Sequence, residues 1–254
     1  MMSSPDLIFA AQGALTGERA WAFALGAVYH VAHGYAVDAA LPEALDDREG
    51  PMLARDWGIT DRATLIERLN DLGSNGHRHR YGAQLRYYAQ LWRPAVASLR
   101  EECRAAIREG GEEAEEAAEN LWRLDAVQAD TDGVRSSPLL AFDSARAVML
   151  TRDGLMLGWL HEQEAWTYLL DVARNAQRSY RSWAAYASDF TLARNVWAGR
   201  RCDDIFDHVV KKLSSDPKSP WRQLPWEQPS LQVPRPIDTV ATAADAPVWT
   251  LERR

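Results

Sequence analysis

The chain is poor in cysteine, has no long apolar run and has no surplus of positive charge. Its two cysteines, Cys103 and Cys202, stand far apart, and no CxxC occurs. A disulfide framework and a zinc finger are therefore not expected. Isolated thiols suit a reducing compartment, where they serve as small core residues. No window reaches the roughly 18 apolar residues that a membrane span requires. The leading MMSSPDLIFAAQGALTGERAW lacks a positive first region, and its apolar run is short and interrupted. No secretory signal is expected, and the reading is cytoplasmic. Lys and Arg number 29 against 36 Asp and Glu, a formal net charge of −7. Nucleic acid is a poor partner for such a surface, because phosphate needs basic side chains.

The common catalytic signatures are missing too. There is no GxSxG, no Walker loop and no GxGxxG. His161-Glu162 opens like HExxH, but Ala165 stands where the second His belongs, which excludes a zincin.

What remains is an ordinary globular composition, 46% apolar and 26% charged. Over 254 residues this supports a substantial core. The periodicity is helical almost throughout. Glu18 to His33 reads as one nearly all-apolar helix, hence central, with Thr16 as cap and Gly34 as stop. Thr60 is the expected cap of a helix whose face is Leu65, Ile66, Leu69 and Leu72, closing near Gly73 or Gly76. His79 to Arg93 forms another, with Pro94 kinking it or starting a new one. An acid-rich segment follows Gly110-Gly111, where an anionic first turn suits the helix dipole. Helical patterns resume at Pro138, with Ser182 as a cap and Gly158 and Gly199 as breaks. No strand pattern stands out. The expectation is an all-α irregular multi-helix bundle of roughly eight to ten helices. One domain over 1–226 and a loosely held, non-helical, Trp- and Pro-rich tail over 227–254 complete it.

Several segments, taken in order, resemble the bacterial domain-of-unknown-function 1266 family. They are Trp57-Gly58-Ile59, Leu72, Gly76-His77-Arg78, Phe142-Asp143 with Arg146 and Arg152, and Glu164-Ala165-Trp166. Ser182-Trp183, Trp197 with Gly199, Ser219-Pro220-Trp221 and Leu224-Pro225-Trp226 follow. The resemblance spans about 45–226. It implies an architecture and candidate positions, and no reaction. Phe142 stands where the family often has Trp, and Ala193-Arg194 where it often has Gly-Arg.

Candidate residues follow from both readings. Asp143 and Arg146 lie three apart on an apolar helix that also carries Arg152. They form either an internal clamp toward Glu164 or the Ser182 turn, or a pocket that recognises an anion. His77 and Arg78 join the candidates, as does Trp183; His79 and Arg80 fall outside the family-like pattern. His77 either caps a helix junction or faces Asp143 and Arg146 across a cleft. His30 and His33 could supply half a metal site with His77 and His79. Asp203, Asp204, Asp207 and His208 offer i, i+4 pairs, against a plain amphipathic helix. Neither outweighs the structural alternative, so no metal and no cofactor is expected. Eleven tryptophans supply core packing and, in part, contact surface. The functional expectation is a protein-binding domain, regulatory, toxin-neutralising or effector-associated. The alternative is an enzyme or small-ligand binder that takes an anionic substrate in an Arg/Asp pocket.

Overall fold

The computed structural model describes residues 6–41 and 48–231. Twelve α-helical segments run through them, ten of eight residues or more. Among the described residues there is no strand; one isolated bridge pairs Ile8 with Ala36. The fold is all-α, as the periodicity predicts.

At the centre lies α8, Leu140–Met156, in which every residue except Leu155 is buried. Around it pack α2 (Ala27–His33), α4 (Arg62–Ser74), α5 (Gly76–Gln90), α9 (Glu162–Ser179) and α10 (Trp183–Ala198). The apolar stretch AVML of α8 supplies the contacts that make this arrangement stable, each buried aliphatic side chain contributing roughly 1.5–3 kcal/mol.

The expected helix 18–33 is two helices, α1 (Gly17–Ala24) and α2, broken at Leu25-Gly26. Gly26 is the crossing point with α8: a Cβ there would sit 2.6 Å from Val148 Cγ1. The cap of α4 is Asp61 rather than Thr60. Its side chain accepts from Thr64 N at 2.8 Å, and Thr64 Oγ1 accepts from Asp61 N at 3.1 Å. A carboxylate fills this role with the added benefit of the helix dipole.

Pro94 starts a helix: α6 spans Arg93–Glu109 and returns as α7, Glu113–Ala129. Of α6 only Val96 and Cys103 are buried, and the pair stands as a hairpin that leans on α5 through α7. Next to the core, α3 (Glu49–Trp57) buries only Glu49 and Leu53.

After α11 (Ile205–Ser215), Ser219 caps a single turn, α12 (Pro220–Gln223). A helix was not expected after Pro220, but Pro is well placed in a first turn. This segment is fastened by indole N–H groups. Trp221 donates to Ala24 O at 2.8 Å, Trp183 to Leu224 O at 2.9 Å, and Trp21 to Trp226 O at 2.9 Å. Their rings pack with centroids about 5 Å apart (Trp21–Trp183 5.0 Å, Trp21–Trp226 4.9 Å, Trp183–Trp226 4.9 Å). Within the expected loose tail, Leu231 is buried beside α9. Residues 232–254 of that tail lie outside the described residues.

Candidate functional site

Helices α4 and α5 meet at Asn75-Gly76. The backbone of Gly76 is left-handed, φ 48°, and a Cβ there would overlap the carboxylate of Asp143. The tight junction aims the first N–H groups of α5 at α8. Asp143 accepts from His77 N at 3.1 Å on one oxygen and from Arg78 N at 3.1 Å on the other. It thus caps α5 from another helix, at the end where an anion is favoured.

Arg78 is fully buried and ties its own helix, α5, to α4 and α8. It donates to Leu72 O at 2.6 Å and to Gly73 O, which closes the carbonyl end of α4. It also donates to Asp143 Oδ2 at 3.0 Å. Arg146 pairs with Asp143 Oδ1, lies over the Phe142 ring at 4.0 Å, and approaches Trp57 at 5.9 Å. Its Nη1 lies 2.9 Å from His77 Nδ1. An arginine donates there, so neutral His77 carries its proton on Nε2. Burial alone would raise the Asp143 carboxyl, but the Arg146 and Arg78 guanidiniums hold it below the ordinary carboxylate range. Burial, and then Arg146, pull His77 down to about 4. The group is a closed clamp whose charges and donors face one another.

The other candidates lie elsewhere. Glu164 makes a two-pronged pair with Arg62, at 2.7 and 2.9 Å, and is not a partner of Asp143 or Arg146. Trp183 sits within the buried tryptophan cluster. Arg152 belongs to a second cluster toward the far end of α8. Asp204 and Asp207 form a capping box on α11: Asp204 accepts from Phe206 N at 2.9 Å, and Asp207 from Asp204 N at 3.2 Å. His30 is stacked on Phe23 at 4.1 Å. Among the described residues no three of His, Cys, Asp and Glu are placed to hold a metal ion.

The second cluster contains two residues that sequence reasoning missed, Glu49 and Asp153. Together with Arg152 and His30 they are buried. Arg152 lies over the Tyr35 ring at 3.6 Å, and its Nη1 is 3.6 Å from Asp153 Oδ1, outside hydrogen-bond reach. Both Asp153 oxygens, Glu49 Oε2, Arg152 Nε and both His30 nitrogens have no hydrogen-bond partner among the described residues. Burial, and then Glu49, lift Asp153 to about 8 against the pull of Arg152. Burial also raises Glu49, lowers Arg152 to about 10 and keeps His30 well below its ordinary value. A run such as Thr-Arg-Asp-Gly at the end of an apolar helix was the available signal, since its charges have nowhere to go but inward.

A third carboxylate repeats the first motif. Asp189 on α10 accepts from Leu139 N at 3.1 Å and Ala141 N at 2.9 Å, and from the hydroxyls of Ser137 and Tyr180. It caps the start of α8 as Asp143 caps the start of α5.

The fold and these clusters define an all-α domain organised on a buried, charge-bearing central helix whose neighbours are capped across helix boundaries. The chain belongs to the family described as "Protein of unknown function (DUF1266)", whose model matches residues 52–226. It is 27% identical over 157 residues to "Uncharacterized protein YbeR" of Escherichia coli (strain K12), covering 60% of each chain. To "Uncharacterized protein YbeU" of the same strain it is 28% identical over 152 residues, covering 60% of this chain and 59% of that one. The chain thus spans about 60% of the length of these curated relatives. No solved structure matches it. Among the described residues no helix is long and apolar enough to cross a membrane.

Proposed function

We propose that this chain acts by binding another protein, and that the corner joining α5 to α6 is the contact face. The observation that carries this reading is a pair of large aromatic side chains left in water. Tyr87 is 59% exposed and Trp92 is 71% exposed, five residues apart at the root of the α6–α7 hairpin. Aromatics of this kind dominate the energy of protein interfaces, where they gain a large area at small entropic cost. The hairpin they stand on is lightly packed, so its outer face is free to receive a partner. Regulatory, toxin-neutralising and effector-associated roles all take this form. The alternative, an anionic substrate held by Asp143, Arg146 and Arg152, has less support: Asp143 and Arg146 are engaged with each other and with α5, and Arg152 is buried against Tyr35.

A photo-crosslinking residue placed at 87 or 92 of the full chain, in the source cell, tests this. A discrete protein adduct is expected from both positions and not from the exposed position 178 on α9. The same pattern from 178, or no adduct from 87 and 92, would overturn the reading.

A further inference from the structure

The second cluster on α8 carries an excess of negative charge, whereas the clamp, with Arg78 and Arg146 against Asp143, carries an excess of positive charge. Arg152 supplies one positive charge, while Asp153 and Glu49 supply two negative ones, all buried. The histidines of α2 and the ring of Tyr35 do not restore the balance. From α2, His30 is held neutral by burial and by Arg152, and His33 is lowered by the same causes, with only Asp56 of α3 opposing. Tyr35 offers its ring face to Arg152. Toward α4 and α9, the residues beside Gly154 are Leu65 and Leu160, both apolar. Nor do the described residues gather a metal-holding group. An uncompensated buried carboxylate is costly enough that such a group neutralises instead.

We propose that Asp153 and Glu49 form a buried proton-binding site, and that the proton held there keeps α3 closed against α8. The proton is the one positive charge that needs no cavity. It removes the repulsion between a carboxyl on α8 and a carboxyl on α3, leaving Arg152 to balance the one that stays ionised. The raised value of Asp153 agrees with this assignment.

The consequence falls on α3, whose other holds on the core are Leu53 and the partly buried Met52 and Trp57. Besides Glu49 it buries only Leu53, and it ends at Gly58, a left-handed residue with φ 65° that can serve as a pivot. Trp57, the last residue of α3, lies over Arg146. When the proton leaves, like charges face each other across α3 and α8, and α3 moves outward about Gly58. That movement uncovers the Arg146–His77 edge of the clamp, so the two clusters of α8 are linked through one helix.

Hydrogen exchange of the full chain, followed by mass spectrometry and corrected for the intrinsic pH dependence of exchange, tests this. The window is pH 6.5 to 8, in which His30, His33 and His77, all lowered by burial, stay neutral. A closed helix that holds one proton the open state lacks loses protection about tenfold per pH unit in that window, then levels off above it. That loss is expected over residues 49–57 and not over 165–176 of α9. Asp153→Asn, neutral at every pH, is expected to flatten the profile. Glu49→Gln removes the opposing charge and is expected to flatten it as well, and it serves if Asp153→Asn does not fold. A flat wild-type profile over 49–57, or an unchanged slope in whichever variant folds, overturns the proposal. Should neither variant fold, the wild-type slope over 49–57 against that over 165–176 decides it.

Discussion

Replacing Asp143 with Ala tests the clamp at its centre. The carboxylate is wholly buried and takes four donors: His77 N, Arg78 N, the Arg78 guanidinium and the Arg146 guanidinium. Its loss leaves two buried cations without a counter-ion, which costs about 3–5 kcal/mol. It also uncaps α5, for about 1 kcal/mol more. A domain has only about 5–15 kcal/mol of net stability. In a chain of this size the melting temperature is expected to fall by about 10–20 °C, at roughly 2–4 °C per kcal/mol. Urea unfolding followed by tryptophan fluorescence measures the free energy. A cycle with Arg78→Met isolates the pair, with an expected coupling of about 2 kcal/mol or more. The acid limb gives an independent sign. Asp143 is depressed in the folded state, so its contribution is complete above the ordinary 3.8 and is lost as pH falls through the lower folded value. The wild type therefore loses this increment in acid below about pH 4, and Asp143→Ala does not. A destabilisation under about 1 kcal/mol, with no coupling to Arg78, would refute the reasoning.

Two further outcomes are expected. Gly76→Ala drives a methyl group into the Asp143 carboxylate from a left-handed backbone position. It should cost about 3 kcal/mol, where left-handed strain alone costs about 1–2, and combine less than additively with Asp143→Ala when the urea midpoints are compared. Asp189→Asn turns an N–H pair toward donors from Leu139, Ala141, Ser137 and Tyr180. It should cost about 2 kcal/mol, read as a melting temperature lower by roughly 4–8 °C.

The parts of this fold that sequence exposes are those written in local rules. Gly34, Gly58 and Gly199 close their helices in the left-handed conformation, and Ser182 caps α10 by accepting from Ala185 N at 3.1 Å. The Asp143–Arg146 pair is legible at its spacing of three. Its other half is not, because Arg78 arrives from 65 residues away and only tertiary packing brings it. The need for glycine at 26 is invisible for the same reason, since Val148 of α8 is the side chain nearest a Cβ there. Glu49 lies in a stretch that reads as loop or short helices, and Asp153 is masked by Arg152 beside it, where adjacent opposite charges pass for a surface pair. Glu164 finds its partner in Arg62, 102 residues away, which only tertiary packing brings to it.

The tryptophan fastening has a consequence for how the chain is made. Trp21 waits for the carbonyl of Trp226, 205 residues downstream, and the carbonyl of Ala24 waits for Trp221. At the usual 5–20 residues per second, the apolar α1 is out of the ribosome for roughly 10 to 40 s before its partners exist. Contacts so distant form late and slow folding. A chain broken off before Trp221 leaves the Trp21 indole and the Ala24 carbonyl without these partners, so incomplete products carry the mark of truncation on their first helix.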